Sequence, residues 1–492
     1  MNPYLPPWEY LPDAEPHVFG ERVYVYGSHD RAHGFVFCSE DYVCWSAPVA
    51  DLSDWRFEGV IYKKTQDPLN ADGRMVMYAS DCARGPDGRF YIYYVLDKAN
   101  VVSVAVCDTP AGCYEFFGYV HYDDGTRLGE KAGDEPQFDP SVLVENDAVY
   151  LYTGLGIIGD ETRRGAMATR LAPDMLTIVA PPVYIAPSGA CGGGTSFEGH
   201  EFFEAASVRK VRGKYYLVYS SVHMTELCYA VSDRPTEGFV YGGVIVSNCD
   251  LGIGDYKPAE MRVYPYGNNH GSIIEICGQW YVFYHRMTNN TWFSRQGCIE
   301  KISIDETGRI AQVEMTSHGA GEVFSAVGRF PAYMACNLWN AETAGAIVGA
   351  PAGAAAPVAF SAASPAYITQ EGFEESADSC YIANITDGTV IGFKYFVFDG
   401  GEGEVGESGE NSVRKIALTT RAYGRGLFEI RTSPFGEVLG TVSIVSANVW
   451  TAFHGEVKIP GGTHALYFTY RGGGTPQMLA LEFLRSINPL PT

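Results

Sequence analysis

At 492 residues the chain exceeds one ordinary domain, and a composition 46% hydrophobic and 19% charged excludes a disordered or fibrous protein. A net charge of −23 excludes the basic surface that nucleic acid or an anionic membrane selects, and suits a neutral partner. With 33 Tyr, 26 Phe, 7 Trp and 56 Gly and no long helix-periodic stretch, many short strands joined by turns are expected: an all-β protein.

The opening MNPYLPPWEY carries neither a basic region nor an apolar core, so no signal peptide is expected. No apolar run reaches 18 residues, so no transmembrane helix is expected either. The 12 cysteines include no CxxC pair, and Cys38, Cys107 and Cys277 fall in strand-like runs where a thiol packs as a small hydrophobe. A reducing, cytoplasmic setting is the expectation.

The first strand signal is PDAEPHVFGERVYVYGSHD at 12–30, where Glu15-Pro16 stands just before an aromatic, β-branched run. Four further segments repeat the arrangement: DCARGPDGRFYIYYVLD from Asp81, DPSVLVENDAVYLYTG from Asp139, EAASVRKVRGKYYLVYSS from Glu204 and HGSIIEICGQWYVFYHR from His270. A second element, A-V-x-D-x-P, recurs at 105–110 and 230–235. Five multi-strand repeats, roughly sixty residues apart, predict a five-bladed β-propeller. Equivalent positions in a propeller converge on its axis. Glu15, Asp81, Asp139, Glu204 and His270 are therefore expected to face one shared site, rather than to be unrelated strand-entry turns.

Past about residue 328 the repeat stops. A small-residue stretch beginning AETAGAIVGAP reads as a loose loop, and strand signals such as GTVIGFKYFVF, HALYFTYRG and MLALEFLRS then resume. The reading is a propeller over 1–328 followed by an antiparallel β-sandwich over 329–492.

Carboxylates around a channel, with no Cys/His metal spacing and no phosphate-cradling Gly loop, suit hydrolysis of a neutral glycosidic bond. That reaction needs one carboxylic acid to protonate the leaving oxygen and one carboxylate to activate water or attack carbon. A like charge nearby keeps the acid protonated.

The repeats resemble glycoside hydrolase family 43, the five-bladed β-xylosidases and α-L-arabinofuranosidases, over roughly residues 1–325. The resemblance rests on Glu15-Pro16 before Tyr24-Val25-Tyr26-Gly27-Ser28, and on Tyr78-Ala79-Ser80-Asp81 before Phe90-Tyr91-Ile92-Tyr93-Tyr94. It rests equally on Glu204-Ala205 before Tyr215-Tyr216-Leu217-Val218-Tyr219-Ser220, and on Asn269-His270-Gly271-Ser272 before Trp280-Tyr281-Val282-Phe283-Tyr284-His285-Arg286.

The resemblance implies an exo-acting, inverting hydrolase that releases a terminal pentose, α-L-arabinofuranose or β-D-xylose, from plant-type oligosaccharides. It places Glu15 as general base, Asp81 as the acid that tunes pKa, and Glu204 as general acid. The chain departs from the family at the base, which is usually Asp-Pro. The pocket has adjusted to the longer Glu, or activity is weakened, or Asp13 has taken over; Glu15 is the reading kept, because it is in register with the following strand. Arg295 and, more weakly, Arg286 resemble substrate-contacting arginines, and Asp139 is assigned to substrate contact with them. His270 matches a position near the axis that faces a structural calcium; no organic cofactor is implied. Taken alone, His270 reads more readily as a core histidine than as a ligand, and Arg295 just as readily as a salt-bridged arginine.

The segment after 329 resembles a family 6-type carbohydrate-binding module through Tyr381-Ile382-Ala383-Asn384-Ile385-Thr386-Asp387-Gly388 and Leu479-Ala480-Leu481-Glu482-Phe483. It is expected to buttress the propeller rather than to bind sugar. Two competing readings remain beside the glycosidase: a catalytically silent carbohydrate-binding propeller, motivated by Glu15, and a protein-interaction scaffold. Three acids in phase favour the enzyme, acting on an oligosaccharide with no nucleic-acid or membrane partner.

Overall fold

The computed structural model describes residues 1–146, 148–157, 159–340, 365–398 and 412–484. Five antiparallel sheets come first, and in each the order along the chain is the order in space. Four have four strands, running from Glu15–Phe19 to Arg56–Tyr62, from Met77–Arg84 to Glu115–Tyr119, from Ser141–Glu145 to Ile178–Pro187, and from Phe202–Val211 to Val240–Ser247. The fifth has three: Ile273–Ile276, Gln279–Thr288 and Thr291–Ile302. This is the expected five-bladed β-propeller.

Local chemistry explains the tight inner hairpins. Blade four turns on Arg212-Gly213 (φ 48° and 86°) and blade five on Cys277-Gly278 (φ 52° and 82°). Two consecutive positive φ angles make the turn whose twist matches the flanking strands.

Apolar side chains fill the spaces between consecutive blades. Tyr91, Tyr93 and Val104 of blade two meet Val142, Val149 and Leu151 of blade three, and Tyr152 and Ala168 of blade three meet Leu217 and Tyr219 of blade four. The A-V-x-D-x-P element acquires a reason here. The hydroxyl of Tyr26 in blade one donates to the Pro110 carbonyl in blade two (2.6 Å), and Tyr152 in blade three donates to Pro235 in blade four (3.1 Å).

The N-terminal segment fastens the ring. Asn2 Nδ2 donates to the carbonyls of Ile299 (3.1 Å) and Thr316 (2.9 Å) and to Glu300 Oε1 (2.8 Å), while Asn2 Oδ1 accepts from the Ile299 N–H (2.8 Å). A parallel bridge between Ala14 and Gly271 joins blade one to blade five at the axis.

The second unit is sandwich-like, as expected, but its described strands form one connected twelve-stranded sheet rather than two separate ones. The sheet curls around Phe393, Phe396, Phe428, Leu466, Phe468, Leu481 and Phe483. It begins at Phe324–Ser325, which pairs in parallel with Phe396–Val397, a few residues ahead of the expected join at 328/329. Its apolar core continues into blades four and five through Ile245, Val282 and Tyr284. The small-residue stretch lies, but for its last residues, outside the described residues. All 12 cysteines are free thiols. Among the described residues no helix is long and apolar enough to cross a membrane.

Candidate active site

Side chains along a strand alternate with a period of two and advance about 3.3 Å per residue. Positions i, i+2 and i+4 of an innermost strand therefore face the propeller axis at successive depths. In blade one Glu15 and His17 follow this alternation within the strand Glu15–Phe19, whereas Asp13 stands just before the strand on left-handed backbone (φ 58°).

The upper layer gathers Asp13, Asp139, Glu204 and His270. His270 Nδ1 lies 3.9 Å from Asp13 Oδ1 and 3.5 Å from Asp139 Oδ2. The Ala205 N–H donates to Asp139 Oδ2 (3.2 Å), and Asn268 Nδ2 donates to Glu204 Oε1 (3.2 Å). All three acids sit at or beside left-handed backbone, with φ of 58° at Asp13, 42° at Asp139 and 68° at Ala205. Register shifts flank Glu204 as well. Left-handed non-glycine residues are uncommon, and here they turn each carboxylate out of strand register toward the axis.

The lower layer holds Glu15 and Asp81. Glu15 Oε2 accepts from Ser207 Oγ (3.0 Å), which is 2.8 Å from Ser272 Oγ, and it pairs with the Arg209 guanidinium. Asp81 Oδ1 lies 2.6 Å from His17 Nε2 and accepts from the Cys82 N–H (2.8 Å), while Oδ2 accepts from the Val142 N–H (2.9 Å). Exposure separates the layers: Asp13, Asp139 and Glu204 keep 4%, 5% and 8%, against 1% for Glu15 and 0% for Asp81. Glu15 and Asp81, expected as base and pKa-tuning acid, are therefore the more deeply buried pair, with Asp81 and one Glu15 oxygen held by fixed partners.

Electrostatics divide the upper carboxyls. Burial pushes Glu204 up to about 8, reinforced by the Asp139 and Asp13 charges and only partly offset by Asn268 and His270. Asp13 is just as buried, but Arg295, then His270 and His285, outweigh the desolvation and hold it below the usual carboxylate range. Asp139 lies between, raised chiefly by burial and restrained by His270. Burial opposes charging of His270, yet its contacts with Asp139 and Glu15 raise it well above the ordinary imidazole value.

Arg295 stands behind Asp13 rather than open to the pocket. Its NH1 donates to Asp13 Oδ1 (2.8 Å), and Nε and NH2 grip Asp30 (2.8 and 3.1 Å), leaving 2% of the residue exposed. Arg286 is a clear correction. It is buried, and its nitrogens donate to Gln296 Oε1 and to the carbonyls of Ala335 (2.9 Å) and Tyr333 (2.7 Å), so it ties blade five to the second unit. Sequence reasoning missed Asp30 and His285. His285 accepts the Asp13 N–H on Nδ1 (3.3 Å) and donates Nε2–H to the Asn268 carbonyl (2.9 Å). Asp30 stands in the same opening segment as Asp13, and only its partner, 265 residues away, gives it meaning.

One ionised and one protonated carboxyl, with a third acid between them, can activate water on one side of a bond and protonate a leaving group on the other. The sequence profile of Glycosyl hydrolases family 43 matches residues 11–310. A xylosidase/arabinosidase of Thermoclostridium stercorarium is 58% identical over 479 residues, covering 97% of each chain. Among solved structures, a family 43 arabinoxylan arabinofuranohydrolase from Bacillus subtilis, in complex with cellotetraose, superposes with TM-score 0.51 at 20% identity, over 98% of this chain and 97% of that one. A family 43 β-xylosidase/α-arabinofuranosidase from a compost microbial metagenome, bound to xylotriose in a calcium-free form, gives TM-score 0.50 at 24% identity over 64% of this chain and 97% of its own.

Proposed function

The chain belongs to glycosyl hydrolases family 43, and from that premise we propose that it is an exo-acting, inverting glycosidase of the xylosidase/arabinosidase type, which releases a terminal α-L-arabinofuranose or β-D-xylose from plant-type oligosaccharides. The observation that carries the reading is the gathering of Asp13, paired with Arg295, and of Glu204 and Asp139 around His270, an arrangement that holds Asp13 below the usual carboxylate range and raises Glu204. Asp13, kept ionised by Arg295, takes a proton from water as the water oxygen bonds to the anomeric carbon. Glu204, kept protonated by burial and by Asp139, gives its proton to the departing glycosidic oxygen as the bond from carbon to that oxygen breaks. Asp139 raises the acid's pKa and is itself held by His270 and the Ala205 N–H. Arg295 and Asp30 position the base. Asp81 and Glu15 build the floor with His17 and Arg209. A silent binder or scaffold has no use for one carboxyl held charged beside another held neutral.

Calcium fits as a structural ion. Glu15 Oε1 is buried without a hydrogen-bond partner among the described residues and lies 3.8 Å from His270 Nε2. Calcium takes six to eight mostly oxygen ligands, so this oxygen would hold it with water completing the shell, and the imidazole would join only by giving up the proton that its contacts with Asp139 and Glu15 favour. A melting temperature unchanged by EGTA would remove it. The catalytic reading is tested with nitrophenyl α-L-arabinofuranoside and β-D-xyloside, following the first-formed sugar by proton NMR. An inverted anomeric centre is expected. Retention would mean that the water-activating role of Asp13 is wrong.

A further inference from the structure

Outside this site, the rim of blade four brings together His200, His223 and Glu226, whose ligand atoms lie within 4.8 Å of one another. His200 closes the long connection into the strand Phe202–Val211, four residues before Glu204. His223 and Glu226 bracket the hairpin between Lys214–Ser221 and Glu226–Ser232 at the same end of the blade.

Each side chain is fixed by a contact of its own. The His200 ring stacks on Tyr241, with centroids 4.9 Å apart and planes 11° off parallel. His223 Nε2 lies 2.9 Å from the Gly199 carbonyl, which can only accept. The neutral ring therefore carries its proton on Nε2 and leaves Nδ1 as a lone pair. Glu226, 7% exposed at its side chain, accepts from Ser221 Oγ (2.9 Å) and from His200 Nδ1 (2.9 Å). Ligand rings oriented by a hydrogen bond from the other nitrogen are the usual outer support of a protein metal site.

We propose that His200, His223 and Glu226 form a zinc-type transition-metal site on the rim of blade four, with water in the fourth position. Two imidazoles and one carboxylate suit a borderline metal of tetrahedral preference rather than calcium. Metal–ligand bonds of about 2.0–2.2 Å set tetrahedral ligand atoms roughly 3.3 Å apart. The 2.9 Å between His200 Nδ1 and Glu226 Oε2 has only to open slightly as the metal replaces the shared proton. His223 is exposed, which gives the ion an entry path and room for its water. Bound there, the metal would pin the connection that leads into the Glu204 strand to the neighbouring hairpin.

The test is zinc binding to the EDTA-treated full chain, read by competition with a chromophoric chelator, in wild type, His223→Ala and His200→Gln. One equivalent should bind to wild type, and each variant should weaken it by at least about tenfold, the loss that even an outer support produces. Cobalt(II) in place of zinc should give visible absorption bands in wild type that His223→Ala removes. Absence of binding, or equal binding in His223→Ala (which would put the ion on the exposed thiols of Cys113, Cys191 or Cys277), overturns the proposal. Wild-type cobalt spectra without imidazole-type bands overturn it independently of any variant.

Discussion

Asp13 and Glu15 are two residues apart, but Glu15 opens the strand Glu15–Phe19 while Asp13 precedes it on left-handed backbone (φ 58°), so their carboxylates meet different partners. If Asp13 is the base, Asp13→Asn and Glu204→Gln should each lower kcat by at least about a hundredfold, the scale of general acid–base catalysis. Glu15→Gln should keep turnover within about tenfold of wild type, yet cost about 3 kcal/mol in urea unfolding, because Arg209 loses its buried partner. The reverse pattern in kcat would return the base to Glu15. With Glu204 pushed up to about 8, kcat should fall on the alkaline side as pH rises through that value. Stability carries the same sign. A carboxyl raised in the folded state contributes fully below its unfolded pKa, near 4.5, and loses that contribution as pH rises through its folded one. Glu300, also raised by burial to about 8, adds to the trend far from the pocket. Its oxygens accept from Asn2, Tyr284 and Thr316 (2.7–3.1 Å), so glutamine fits in its place. Glu300→Gln should therefore flatten the fall in melting temperature between pH 6 and 9, and an unchanged slope would show that Glu300 ionises freely.

Strands and blades were legible because each repeat carries its own signal: an alternating aromatic run such as Tyr215-Tyr216-Leu217-Val218-Tyr219 needs no distant partner to be recognised. The acids were harder to place. Glu15 stands in phase with its strand, and phase was the criterion, but Asp13, Asp139 and the Glu204-Ala205 step take left-handed backbone that breaks phase. Nothing local in the sequence marks an Asp at φ 58°. Arg286 misled for a related reason. It stands in a strong strand signal, and its partners Tyr333 and Ala335 belong to a connection with no pattern of its own. The fifth blade shows what a repeat alone leaves out. It has three strands, and the stretch around Asn2 lies along its outer strand. Asn2→Ala should cost about 1–3 kcal/mol, since it strips partners from Glu300 Oε1, the Ile299 N–H and two carbonyls at once. A thermal or urea melt indistinguishable from wild type would show that the clasp is dispensable.

Across the whole molecule buried polar contacts tie the two β units together at their seam. Lys394, in the second unit, is fully buried and reaches Asp250 (2.9 Å), Glu314 (2.7 Å) and Tyr256 (3.1 Å) on the propeller side. At another point of the seam, Thr369 Oγ donates to Asn289 Oδ1 (2.7 Å) and Tyr10 donates to Gln370 Oε1 (2.6 Å). These contacts support buttressing. Lys394→Met leaves Asp250 buried without its cation and should cost about 3–5 kcal/mol, lowering the melting temperature of the whole chain in a single transition. A variant that melts the second unit alone would mean the two are independent. The ring has a further consequence, for the order in which the protein is made. Asp13 is held by His285 and Arg295, 272 and 282 residues further along the chain, and the clasp at Asn2 closes only on residues near 300 and 316. During synthesis Asp13 emerges well ahead of the fifth blade and has no cation beside it until that blade is made. A ribosome that stalls anywhere before that blade releases blades in which Asp13 has neither partner, so the site is completed only by the strands that carry His285 and Arg295.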